Sequence, residues 1–180
     1  MSDHDESKPI FFWKPDQEHG FLGQWYPSKF VVTTESGEEL HYENCEHYMM
    51  HQKAVLFAPS DPITTQILSP NSPVPSPREL KALGRQVPNF NEEVWIRERF
   101  GIVVQGNYFK FTQNPELKEL LLATGSRELV EASPLDKIWG VGFGSKDAEK
   151  NRWRWGLNLL GKALMEVRER IRKEEEQGRG

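Results

Sequence analysis

A carboxylate and an amine stand seven residues apart in Asn44-Cys45-Glu46-His47-Tyr48-Met49-Met50-His51-Gln52-Lys53-Ala54-Val55-Leu56-Phe57. Wound as a helix at about 100° per residue, this stretch points Glu46 and Lys53 within about 20° of each other and roughly 10 Å apart along the axis. That separation is too long for an ion pair and suits two groups gripping one small ligand. The ordinary alternative is a solvated edge with two unrelated charges. Lys81 and Arg85 form a second candidate pair, two cations at i and i+4 that are either solvated or await an anion. A third group is the stretch from Ser133 to Trp155, which holds Asp136, Trp139-Gly140-Val141-Gly142-Phe143-Gly144 and the basic, aromatic Lys150-Asn151-Arg152-Trp153-Arg154-Trp155. Alternating glycines can leave backbone N–H groups open to a phosphate. A dinucleotide fold is rejected, because the strand before the glycines and the acidic residue about twenty positions after them are missing.

Other chemistries are set aside. His47 and His51 at i and i+4 could hold a metal, but the spacing is not that of a metalloprotease helix and no third ligand has an obvious place, so no metal is expected. Cys45 falls on the apolar stripe, where a thiol is inert. There is no serine nucleophile elbow and no Walker loop, and no cofactor is expected.

These groups need a scaffold. The chain has 180 residues, 37% hydrophobic and 28% charged, enough for one globular domain with a core. A net charge of −4 argues against a broad basic face for nucleic acid and leaves room for a local patch. Cys45 is the sole cysteine, so no intramolecular disulfide forms. Neither a signal peptide nor a membrane-spanning run is found, which points to the cytoplasm or the nucleus, with no membrane partner. Residues 1–9 read as a disordered tail, 10–171 as the folded domain and 172–180 as a charged tail.

Local patterns supply the elements. Ile10–Trp13 reads as a strand, and Lys29–Thr34 with Glu38–Tyr42 as a hairpin turning at Glu35–Glu38. Between them Phe21–Pro27, with Trp25, is either a lid over the core or a substrate-stacking loop. Asn44 caps the organising helix, whose Cys45, Tyr48, Met49, Gln52 and Leu56 form the stripe expected to face the core. Asp61-Pro62 opens a short helix within the proline-rich 58–77 segment. Ser76-Pro77-Arg78-Glu79 is a capping box opening a helix to about Arg85. Asn91 caps a helix to Val103 or Val104, with Gly101 and Gly106 as weak points. Asn114-Pro115 starts another helix, stopped at Gly125. Arg127–Ala132 reads as a short strand. Gly156–Arg170 is the last helix, fraying from Glu169.

Six pieces in one order resemble the NADAR family, the YbiA-like N-glycosidases: Cys45-Glu46-His47-Tyr48 with Gln52-Lys53; Lys81-Ala82-Leu83-Gly84-Arg85; Trp95; Leu120-Leu121-Leu122-Ala123-Thr124-Gly125; Asp136-Lys137-Ile138-Trp139-Gly140; and Gly156-Leu157-Asn158-Leu159-Leu160-Gly161 with Leu164–Arg168. The resemblance runs from about Ile10 to Ile171. It implies an α+β, helix-dominated single domain with a small β-hairpin or sheet, and hydrolysis of a bond between ribose C1 and nitrogen. The implied substrates are phosphoribosylamino intermediates of riboflavin synthesis or ADP-ribose on guanine in DNA or RNA. A monomer is expected. Glu46, Trp95, Asp136 and Trp139 match active-site positions of the family, Lys53 the lysine after the motif, and Asn158 the asparagine opening the last helix. Gly23-Gln24-Trp25 replaces the Ser-Asn-Phe of many members, and the glycine-rich loop before the last helix is longer.

The roles implied are these. Glu46, at the second position of its helix near the positive end of the macrodipole, stabilises charge on the sugar or positions water. Asp136 protonates the departing nitrogen, provided burial keeps it protonated. Lys53 is first an electrostatic ligand and second a Schiff-base nucleophile. Trp95 and Trp139 stack the base, with Tyr48 and Trp25 as further contacts, while Lys81, Arg85 and Arg152 hold phosphate. A base in nucleic acid would have to be extruded into the pocket. The competing classes are a non-catalytic ADP-ribose-binding module and a structural interaction domain whose tryptophans are only core.

Overall fold

A computed structural model of the protein describes residues 6–68 and 75–179. The class is the expected helix-dominated α+β. The chain divides into two compact units, one built from the chain up to Tyr26 and from Pro115 onward, the other from Pro27 to Asn114. The tail expected at residues 1–9 falls partly outside the described residues. Where it is described, the Lys8 and Pro9 carbonyls accept from the Arg127 guanidinium. The proline-rich segment at 69–74 also lies outside them.

The Pro27–Asn114 unit begins with a hairpin of β2 (Phe30–Thr33) and β3 (Glu39–Tyr42), which follow β1 (Ile10–Phe12) of the other unit in the chain. They pair antiparallel with Phe30 opposite Tyr42 and Thr33 opposite Glu39. The turn is closed where the Thr34 amide donates to the Glu38 carbonyl at 2.9 Å. Helix α1 (Cys45–Phe57) then starts at Asn44, whose side chain accepts from the His47 amide at 2.9 Å. It packs against α2 (Pro62–Leu68), α3 (Pro77–Gly84) and α4 (Glu92–Gln113). With three helices around it, α1 is buried on nearly all sides through its first two turns, from Cys45 to His51, while Leu56 is exposed. The single stripe expected from periodicity is therefore corrected, because more than one face of the helix is covered.

The capping box at Ser76 and Glu79 forms as expected. Helix α4 runs 22 residues, straight through both glycines expected to weaken it. Gly106 is there for packing: a Cβ on it would lie 2.6 Å from the Tyr48 ring, so its absence lets α1 and α4 approach. The end of α4 is tied to the hairpin by Gln113, whose amide exchanges two hydrogen bonds with Val31 at 2.7 and 2.8 Å. This side chain covers part of the strand's free edge.

In the other unit β1 pairs in parallel with β4 (Leu129–Glu131), Ile10 opposite Leu129. Helix α5 (Pro115–Ala123) ends at Gly125, which adopts φ +62°. After β4 come the short α6 (Ser145–Ala148), a 3₁₀ stretch Glu149–Arg154 and α7 (Leu159–Gly178). Helix α7 packs on β4 and α5 through Leu160, Leu164, Val167 and Ile171. It starts three residues later than expected and does not fray at Glu169. The pairs Glu169–Lys173 and Arg170–Glu174, at i and i+4, and the Lys118–Glu175 pair carry it through the charged tail.

Candidate functional site

Each unit carries some of the residues singled out above. In the Pro27–Asn114 unit, Glu46 is only 4% exposed, which overturns the solvated-edge alternative for that residue. It occupies the second position of α1, near the positive end of the helix dipole. Two turns on, Lys53 is half-buried among rings. Its Nζ lies 4.7 Å from the Phe90 centroid and 5.7 Å from that of Trp95. Phe57 completes the wall, 5.2 Å from Phe90 and 6.5 Å from Trp95 between centroids. Burial and the nearby Arg85 guanidinium push the Lys53 pKa down, while the Glu46 carboxylate pulls it back up. Lys81 and Arg85 are both exposed, and neither makes an ion pair among the described residues.

Phe90 was not singled out in the sequence. It follows Asn89, which is held at φ +58°, a left-handed conformation that Asn tolerates and that redirects the chain after Pro88. No helical or strand pattern marks such a ring, so only an aromatic next to a turn-forming Asn could have hinted at it. Lys110 was missed as well. It is fully buried and burial pushes its pKa down to about 8. The spacing Val103, Asn107, Lys110 puts it on the inner face of α4, a signal present in the sequence.

Tyr48 is corrected. Its ring is 6% exposed and sits among Phe30, Tyr42 and Phe109, centroids 5.9, 5.1 and 6.1 Å away. It fills the hydrophobic core of this unit. The two histidines are tied internally. His47 Nδ1 accepts from the Glu43 amide, so its Nε2 donates to the Ile67 carbonyl at 2.7 Å. His51 Nδ1 lies 2.8 Å from the Tyr42 hydroxyl. Cys45 is buried, and burial lifts its thiol to about 11.

In the other unit Asp136 is half-buried, so the full burial required for its role as proton donor is not met. One of its carboxylate oxygens accepts from the Ile138 and Trp139 amides, each at 2.8 Å, and shapes the loop. That loop caps α7: the Leu159 and Leu160 amides donate to the Ile138 and Trp139 carbonyls, both at 3.1 Å. The helix N-terminus is thus satisfied by backbone, and Trp139 is fixed against it. Asn158, expected to touch substrate, is buried at φ +50°. Its Oδ1 accepts from the Glu131 amide at 3.0 Å and its Nδ2 donates to the Leu129 carbonyl at 2.9 Å. Both amide atoms clamp β4, so Asn158 acts on chain geometry.

Arg152 is also engaged within the fold, paired with Glu128 and stacked 4.5 Å over the Trp155 ring. Trp25 is 37% exposed, in a loop whose own Leu22 is fully buried. Two glycines of the 140–144 run, Gly140 and Gly142, serve close approach, whereas Gly144 has open space around it. A Cβ on Gly140 would lie 2.8 Å from the Glu131 carbonyl, and Gly142 adopts φ +78° beside the Lys137 stem. This unit also has a cleft of about 700 Å³ lined by Trp13, His19, Arg127 and Lys146 among others, which takes in Gly144 of the glycine run.

Comparison with known proteins places the chain in a family. The NADAR domain model matches residues 11–172. N-glycosidase R617 of Acanthamoeba polyphaga mimivirus is 39% identical over 92% of this chain and 97% of its own length. A riboflavin biosynthesis protein of Vibrio vulnificus is 31% identical over 91% of this chain, which spans 39% of that protein. The NMR structure of the E. coli protein YbiA superposes with a TM-score of 0.69 at 26% identity, covering 94% of this chain and 88% of that one. With the family model matching residues 11–172 and a relative 39% identical over nearly the whole length of both chains, the chain belongs to the NADAR family.

Proposed function

We propose that the protein is an N-glycosidase that hydrolyses the bond between ribose C1 and the nitrogen of a base, and that its substrate is ADP-ribose attached to guanine. The observation that carries the reaction class is the buried Glu46, set two turns from Lys53 against an aromatic wall. Breaking a ribosyl C–N bond builds positive charge on the sugar. A carboxylate beneath C1, shielded from bulk solvent, stabilises that charge and holds the attacking water. Trp95 and Phe90 offer faces for a flat base.

Lys53 serves as an electrostatic contact in this reading. Its lowered pKa also favours the alternative in which the neutral amine attacks the ring-opened sugar as a Schiff base, which needs the proton absent near neutral pH. Asp136 and Asn158 position the Trp139 loop and the start of α7. Lys81 and Arg85, two exposed cations about one turn apart and unpaired with any carboxylate among the described residues, match a diphosphate better than a single phosphate. That match favours ADP-ribose. The riboflavin-related relative favours the second reading, a phosphoribosylaminopyrimidine.

Product release from ADP-ribosylated guanine and from a phosphoribosylaminopyrimidine tests the choice. Cleavage of the first alone supports the proposal, and cleavage of the second alone assigns the protein to riboflavin intermediates. Binding of ADP-ribose without cleavage of either substrate makes it a non-catalytic module.

A further inference from the structure

We propose that the turn Lys150–Arg154 is a contact surface for single-stranded nucleic acid, with Trp153 as the stacking platform and Lys150 and Arg154 as phosphate contacts. Trp153 is 84% exposed, an unusual position for the largest apolar side chain. The exposure is built in. On the inner side of the same turn Trp155 donates from its indole N–H to the Ala148 carbonyl at 2.7 Å and meets Phe11 edge-on at 6.3 Å. Asn151 donates to the Asp147 carbonyl at 2.9 Å, and Arg152 is held by Glu128 and by the Trp155 face. The turn is therefore fastened to the core formed by Val130, Val141 and Ala148, and it presents Trp153 outward.

The neighbouring cation completes the platform. The Arg154 guanidinium lies 5.6 Å from the Trp153 ring and 5.5 Å from the Phe143 ring, so its plane is supported by two aromatics and its position is fixed. Neither Lys150 nor Arg154 bonds a carboxylate among the described residues, and both are exposed. Asp147 and Glu149 precede the turn, so its positive character is confined to 150–154. An open indole beside two available cations suits a strand whose base is unstacked and whose phosphates lie on either side. A paired duplex offers no free base face to the indole. The proposal deepens the nucleic-acid branch of the function above and rests on it only for the activity readout.

Fluorescence anisotropy of a labelled 12-nucleotide DNA strand, its duplex and polyglutamate is measured with wild type, Trp153→Ala, Trp153→Phe and Lys150→Ala/Arg154→Ala, with thermal melts verifying that each variant folds. The single strand is expected to bind best. Trp153→Ala should weaken it roughly fivefold to a hundredfold while Trp153→Phe keeps most of the affinity. With two phosphate contacts, affinity should fall roughly 25-fold between 50 and 500 mM salt. Trp153→Ala should also lower kcat/KM for an ADP-ribosylated oligonucleotide relative to an ADP-ribosylated nucleoside. If wild type cleaves neither, the hydrolytic reading fails and anisotropy alone decides this proposal. Equal binding of strand by wild type and Trp153→Ala overturns it, as does equal binding of polyglutamate. No strand binding by wild type at 50 mM salt also overturns it.

Discussion

Replacing Glu46 by Gln keeps the size of a nearly buried side chain and removes its charge. If the carboxylate lies about 4 Å from the developing charge on the sugar, an effective dielectric of about 20 makes the attraction about 4 kcal/mol, or roughly a thousandfold in rate. The interaction belongs to the transition state, so kcat should fall by that order while KM changes little. The same substitution has a second consequence. The Glu46 carboxylate raises the Lys53 pKa, so its removal should lower that pKa further. Trapping of Lys53 by borohydride in the presence of ADP-ribosylated substrate should then begin at a lower pH in Glu46→Gln than in wild type, if the amine route operates at all. Steady-state kinetics of product release from pH 5 to 9, with denaturation curves to show that the variant folds, would test the reasoning. A loss of less than tenfold in kcat, with substrate still bound, would refute a charge-stabilising role for Glu46.

Three further outcomes follow from packing and protonation. Burial holds His51 down to about 4 from 6.5, so the native state binds fewer protons than the unfolded chain; its contribution is present above about pH 6.5 and is lost as pH falls to about 4, up to about 3 kcal/mol. Urea unfolding of wild type and His51→Gln should therefore converge on acidification, and parallel curves would sink the idea. Gly106→Ala should destabilise by about 1–3 kcal/mol, because the new methyl meets the Tyr48 ring, whereas Gly101→Ala, with open space around it, should stabilise by about 0.5–1 kcal/mol. Thermal melts that move both variants the same way would contradict this. Asn158→Ala loses two hydrogen bonds to β4 and leaves Ala at positive φ, so a loss of about 2–4 kcal/mol is expected by chemical denaturation.

Much of the scaffold was written locally. Asn44, Ser76 with Glu79, and Asn91 cap their helices where the sequence places them, and the hairpin turns where Ser36-Gly37 predicts. These features depend on contacts within about four residues, which a linear pattern contains. The helical repeat puts Glu46 and Lys53, seven residues apart, on one flank of α1, so that pairing was readable before any fold was known.

Burial and long-range partnership needed the tertiary structure. Nothing near Ile10 announces Leu129 as its strand partner, and nothing near Asn158 announces that its amide would clamp β4. Tyr48 and Lys53 lie on the same short helix, yet one fills an aromatic core and the other stays half-open beside Phe90 and Trp95. The difference comes from α4, whose Gly106 admits the Tyr48 ring. Sequence thus determined which residues could share a helical flank and where most helices begin. The tertiary structure alone decided which were covered, because covering a face takes another element, and that element comes from elsewhere in the chain.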